Sequence, residues 1–379
     1  MHKRIILLFF ITFIFLNILI FIPLYINDPL QIFHKDFNHK KTLLKNMRYQ
    51  VAGLINNFKY DSIIFGSSML VNTSSKEANK YLGGNFINIS ILGADFYERS
   101  LILKYTLEKK QIKTLLYSID SVYIDLLKAQ SNHYDYLYDN NKLNDFKAYI
   151  NKKYLFDCFL GFSHKQKCIG YYKNIDMPSS WNEDIIYKRH FNGLNNWVKY
   201  KNDLASINMA KQVSFVANKI KHHEVKAIKN IRNKIKNSKK YVDKYLLSII
   251  KQYPKTKFIL IFPPYSRLAY AQLAQYELNG YEIYKYMLKY LANISTQEKN
   301  IEVYDFSDEN FIDNINNYKD PNHYKADINS WMLKAIKNKN GLINSSNIDK
   351  HLLKIDKKNK EYNFIKIGQE IDNYLKANN

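Results

Sequence analysis

Ser62-Ile63-Ile64-Phe65-Gly66-Ser67-Ser68 decides how this chain folds. The run up to Phe65 is short, apolar and rich in strand formers, which predicts a β-strand, and Gly66 permits the tight strand-to-loop turn that exposes Ser68. Outward from this stretch the same pattern repeats. Residues 75–82 are predicted helical, 85–92 β-like, 97–111 helical and 114–124 β-like. It resumes with 242–252 helical, 257–262 a near-continuous apolar strand, 281–294 helical, 301–306 β-like and 326–337 helical. Strands alternating with helices predict an α/β fold, a parallel sheet covered on both faces. Right-handed crossovers bring the C-terminal strand ends to one edge, where such folds gather their chemistry.

Two fragments fall at that edge. Serine is a poor nucleophile until a base takes its proton, and a His oriented by a carboxylate is the common solution. Gly66-Ser67-Ser68 offers the nucleophile, and Asp320-Pro321-Asn322-His323 offers the carboxylate and the base. Alone, each pattern also fits a helix cap or a loop. A second Asp-x-x-His, Asp36 to His39, precedes every predicted strand, whereas Asp320 follows the last one and precedes a helix. Only the latter can reach the sheet edge. Phe262-Pro263-Pro264-Tyr265-Ser266 ends a buried strand at the same edge and reads as a rigid loop or a wall of the site.

The chain has 379 residues, enough for one large domain with insertions. Its formal charge of +23 favours anionic neighbours, but a bias toward Lys, Asn, Ile and Tyr supplies much of that excess. No zinc-finger spacing or RNA-binding aromatic motif accompanies the charge, so nucleic acid is not an expected partner. Residues Ile5 to Ile26 are almost wholly apolar, and about 20 such residues span a bilayer. With His2, Lys3 and Arg4 ahead of them, the expectation is an uncleaved single-pass anchor in the cell membrane, N-terminus cytoplasmic and body extracytoplasmic. Cys158 and Cys168 then lie where a short-loop disulfide is expected, with two reduced thiols in a small helical region as the alternative. Two cysteines without a nearby His pair do not suggest a metal, and no cofactor is expected.

These signals divide the chain into a cytoplasmic tip and anchor (1–27), a lead-in (28–58), an α/β domain in two pieces (59–125 and 241–340), an insertion (126–240) and a helical tail (341–379). The insertion breaks the alternation and reads as a mostly helical cap carrying aromatics such as Tyr134, Tyr136, Tyr138, Trp181 and Trp197. Between Lys211 and Lys240 ten Lys or Arg face one acid, with Ile228, Ile231 and Ile235 at helical spacing. That describes an amphipathic helix whose basic face is either simply solvated or meets anionic lipid or polymer. His222-His223, within it, reads as solvated.

Ser62 to Met69, Asn88-Ile89-Ser90-Ile91-Leu92-Gly93-Ala94 and Asp320-Pro321-Asn322-His323-Tyr324 resemble the first, second and last sequence blocks of SGNH (GDSL-like) hydrolases. The likeness is closest to their membrane-anchored bacterial branch, that of the teichoic-acid D-alanylation protein DltD and of the alginate and peptidoglycan O-acetylation proteins. It covers about residues 60–125 and 255–340. It implies a flavodoxin-like three-layer α/β/α domain, with Ser68 as nucleophile, His323 as base and Asp320 as its orienting carboxylate. Gly93 matches the second-block glycine, whose N–H helps to hold the oxyanion alongside that of Ser68. The third block departs, because the family's Asn donor is replaced by Asp120 in Ser118-Ile119-Asp120-Ser121. An ionised carboxylate cannot donate, so Asp120 is expected to be structural or to bind a substrate hydroxyl. Losing one oxyanion donor costs about 10²- to 10³-fold in rate.

The expected function is therefore an extracytoplasmic serine O-acyltransferase or esterase acting on acyl groups, most simply acetyl, of a cell-envelope glycan or polymer. The resemblance implies a partner, a multispanning membrane O-acyltransferase that exports the acyl group. The competing expectation is a non-catalytic protein of the same fold that binds or assembles an anionic envelope polymer.

Overall fold

The computed structural model describes residues 2–35, 42–121, 124, 134–158, 166–170, 176–181, 183–226 and 230–377. Asp36, His39, Ile228 and Lys229 lie outside the described residues. The architecture is mixed α/β around a six-stranded, mostly parallel sheet. Its strands are β1 (Ser62–Phe65), β2 (Phe86–Asn88), β3 (Thr114–Ser118), β4 (Lys257–Phe262), β5 (Ile301–Asp305) and β6 (Leu342–Ile343), in the spatial order β2-β1-β3-β4-β5-β6. β1 is fully buried and pairs in parallel with both neighbours, Ile63 opposite Ile87 and Leu115. β6 closes the far edge antiparallel to β5.

The helices begin where the sequence supplies caps. Ser74 accepts from Glu77 N at 3.0 Å to start Ser75–Leu82, and Gly83 ends that helix at φ +72°. Asp95 accepts from Glu98 N at 2.8 Å to start Phe96–Lys109. One core runs from Leu43 to Ile371 through both halves of the sheet domain. The helices Ile348–Glu361 and Phe364–Ala377 belong to it: Ile355 and Ile371 are buried, and a Cβ on Gly368 would stand 2.0 Å from that of Ala217. The tail is thus packed against the insertion helix Leu204–Lys221.

The amphipathic stretch between Lys211 and Lys240 is two helices, Leu204–Lys221 and Ile231–Val242, with left-handed residues at His223 and Asn230 between them. His222 and His223 lie exposed at the break. The predicted strands 85–92 and 114–124 are shorter: beyond their ends the Ser90 hydroxyl accepts from the Gly66 N–H and the Asp120 carboxylate accepts from the Ser67 hydroxyl at the sheet edge.

At the N-terminus, His2–Asn27 is a 26-residue helix, about 39 Å long at the α-helical rise and apolar enough to cross a membrane. A satellite core joins its end to the insertion through Leu24, Leu30, Leu137, Tyr149, Tyr154 and the two cysteines. Cys158 and Cys168 form a disulfide, with Cα atoms 5.7 Å apart. Asp28, fully buried, gathers the backbone N–H groups of Ile32, Phe33 and His34 at 2.8–3.0 Å and the Tyr149 hydroxyl, fixing the turn that leaves the helix.

Candidate active site

β1 delivers Gly66-Ser67-Ser68 to the C-terminal edge of the sheet, and the loop after β5 brings a short hairpin over it. Tyr318 and Tyr324 pair across that hairpin, and Lys319 N donates to His323 O at 3.0 Å. Its position is over-determined. The Tyr324 hydroxyl donates to Met69 O, next to Ser68, at 2.9 Å, and the Tyr318 hydroxyl donates to Pro264 O at 2.8 Å. Both the Ser266 N–H and its hydroxyl donate to Pro321 O, at 3.1 and 2.6 Å. The Pro263-Pro264 loop is thus the hairpin's rigid support.

The three predicted residues meet. Ser68 Oγ lies 2.9 Å from His323 Nε2, and His323 Nδ1 lies 2.9 and 2.8 Å from the two Asp320 carboxylate oxygens. With an acceptor-only carboxylate on Nδ1, the neutral ring carries its proton there and leaves Nε2 free to accept from Ser68. Ser68 and His323 are half-buried, while Asp320 is buried. Burial alone would push the Asp320 carboxyl up, but the charges and hydrogen bonds of His323 and Lys319 outweigh it and hold the group far below the usual carboxylate range. The N–H groups of Asn322 and His323 also donate to its Oδ1 at 2.9 Å, and Lys319 Nζ reaches Oδ2 at 2.8 Å. Asp320 is therefore a fixed, ionised orienting group.

Behind Ser68 lies a buried polar network. Ser67 Oγ donates to Asp120 Oδ1 at 2.7 Å, and Ser118 Oγ donates to Asp120 Oδ2 at 2.7 Å. Arg99 stands 3.2 Å from the same Oδ2 and donates to Ser118 O at 2.7 Å, its guanidinium packed against the rings of Phe96 and Tyr117. Asp120 is 2% exposed, so of its two expected roles the structural one fits. It faces Ser67 and Arg99, and it offers no donor to an oxyanion. Gly66 is required for space: a Cβ there would meet Ser118 Oγ at 2.5 Å. Asn88, at the end of β2, donates to Leu70 O and Thr73 O at 2.8 Å each and so holds the turn that follows Ser68. Gly93 lies exposed in the loop after β2, at φ +68°, beyond Ile91, whose N–H donates to Gly66 O.

Sequence reasoning missed Arg99, Ser118 and Asn88 as positioning residues, since their roles depend on which strands become neighbours. It singled out Trp181 only as an aromatic of the insertion. That ring stands edge-on to His323 with centroids 5.1 Å apart, under the Lys319 ammonium, and the Trp181 backbone N–H donates to Asn72 Oδ1 at 2.8 Å. The insertion therefore walls the site. Beside the hairpin a mainly apolar cleft of about 240 Å3 opens between the insertion helix and the helix Arg267–Gln275, lined by Met209, Val213, Tyr265, Leu273, Gln212 and Asn322 among others. Among the described residues no group of His, Cys, Asp and Glu is arranged to hold a metal ion.

The chain matches no protein-family model, no curated protein and no solved structure. Function is therefore argued from this geometry.

Proposed function

We propose that the protein is a serine acyltransferase or esterase of the SGNH type, anchored by His2–Asn27 with its body outside the cytoplasm. The observation that carries this reading is the continuous chain of hydrogen bonds from Ser68 through His323 to Asp320. Ser68 passes its proton to His323 Nε2 as Oγ attacks an acyl carbonyl, and the imidazolium returns that proton to the departing alkoxide. A hydroxyl of an envelope glycan, or water, then gives its proton to His323 and attacks the acyl-serine, and Ser68 recovers the proton as it leaves. The β2-β1-β3-β4-β5 order, which is that of flavodoxin-like sheets, supports the superfamily assignment, and the disulfide supports an oxidising compartment. The acyl group would come from a multispanning membrane O-acyltransferase.

One observation favours the second reading, a non-catalytic polymer-binding protein: Asp120 is committed to Ser67 and Arg99 where the family places an oxyanion donor. The two are separated by measuring envelope O-acylation in cells. Ser68→Ala abolishes it and Arg232→Glu with Lys236→Glu, exposed on the basic helix, leaves it intact if the site is catalytic. The opposite pair of results would establish the binding protein.

A further inference from the structure

The short turns Asp145–Tyr149 and Lys153–Asp157 of the insertion are pinned beside the last turns of the N-terminal helix. The Phe146 ring lies 5.3 Å from that of Phe21 and 4.4 Å from that of Phe33, and the Tyr149 ring lies 5.3 Å from that of Tyr154. Phe21 is six residues before the helix end, so Phe146 reaches about 9 Å back along the helix from its exit point. Between Phe146 and helix residues from Phe13 to Tyr25 runs an apolar groove of about 400 Å3.

Around Phe146 the surface is apolar where a water-facing turn would be polar. Leu143 is 89% exposed, Ile150 56% and Phe156 77%. Lys142, Lys147 and Lys152 are exposed among them; of the nearby acids Asp145 is buried, while Asp139 and Asp157 are exposed just outside the two ends of the stretch. Apolar tips ringed by lysines, level with the end of a spanning helix, match a bilayer interface in both polarity and charge.

We propose that residues 142–156 form a foot that enters the headgroup region of an anionic bilayer, with Leu143, Ile150 and Phe156 in the acyl boundary and a lipid chain in the groove beside Phe146. The foot rests on the reading that His2–Asn27 spans the membrane. Its consequence is a fixed tilt of the body, since the turn at Asp28 couples helix and foot.

The test is tryptophan quenching in the full chain, reconstituted in phosphatidylglycerol–phosphatidylcholine vesicles whose lipids carry bromine high or deep on the chain. Leu143→Trp, Phe156→Trp, Ile14→Trp and, as a water-facing reference, Leu353→Trp (74% exposed) are each read against the wild-type background. The foot predicts that Leu143→Trp and Phe156→Trp lose emission most strongly to the high bromines, that Ile14→Trp loses it to the deep ones, and that Leu353→Trp loses none. Quenching of Ile14→Trp alone would overturn the foot and leave the anchor standing. No quenching at Ile14→Trp would overturn the anchor and the foot with it. Foot quenching that is equal in pure phosphatidylcholine would overturn the preference for anionic lipid.

Discussion

Ser67 and Ser68 are adjacent hydroxyls with opposite fates, and strand geometry separates them. Ser68 stands half-exposed against His323, whereas Ser67 is turned under the sheet edge onto Asp120. Ser68→Ala is expected to lower acyl transfer by at least about 10³-fold with the melting temperature unchanged, and His323→Ala to lower it as far with some loss of stability, since it takes a donor from buried Asp320. Ser67→Ala acts the other way: it leaves a buried carboxylate oxygen without its donor and costs about 1–3 kcal/mol, read as a lower urea midpoint. Asp320 adds a pH signature. Its folded-state pKa is depressed, so its contribution is present above its unfolded value of about 3.9 and is lost as pH falls below that. The stability gap between wild type and Asp320→Asn is therefore expected to be full at pH 7 and to shrink below about pH 4, while activity of the variant is low throughout. The triad residues were legible in the sequence because each stands beside a strand end or a turn-forming residue. Arg99 was not, because a buried Arg in a helix looks like any other helical Arg until Ser118 and Asp120 arrive beneath it.

Strands and helices with strong local signals formed where expected. β1, β4, Ser75–Leu82 and Ala326–Lys337 match their predicted spans, since apolar runs or caps mark both ends. β6, two residues long, carries no period and was invisible. The helix Ile348–Glu361 is held to β5 by His351, whose Nε2 lies 2.5 Å from buried Asp305. Burial disfavours the imidazolium, but the Asp305 hydrogen bond and charge outweigh it and raise the His351 pKa above its ordinary value. A raised pKa gives stability that is complete below about 6.5 and fades as pH rises through the folded value. His351→Gln should thus cost about 1–3 kcal/mol at pH 5.5 and markedly less at pH 9, measured by urea unfolding. The disulfide supports a different element. Replacing both Cys158 and Cys168 by Ser is expected to destabilise the satellite core by about 2–3 kcal/mol, read by proteolysis within residues 134–170, while the sheet domain melts as before.

In the whole molecule, β1 leads to Ser68, the hairpin after β5 brings His323 to it, and the insertion supplies a wall. The alternation of strands and helices announced the first two, because a parallel sheet must bring its C-terminal ends together. The insertion announced only its composition: that Trp181 meets His323 depends on long-range packing that leaves no period in the sequence. The same holds for the tail, whose helices bury Ile355, Phe364 and Ile371. The proposed chemistry requires Ser68 to be a nucleophile that His323 activates. The most direct measurement is mass spectrometry of the full-length protein after exposure to a fluorophosphonate. One phosphonyl adduct, mapped to Ser68 and absent from His323→Ala, is the predicted result; a folded protein that stays unmodified at Ser68 would contradict it.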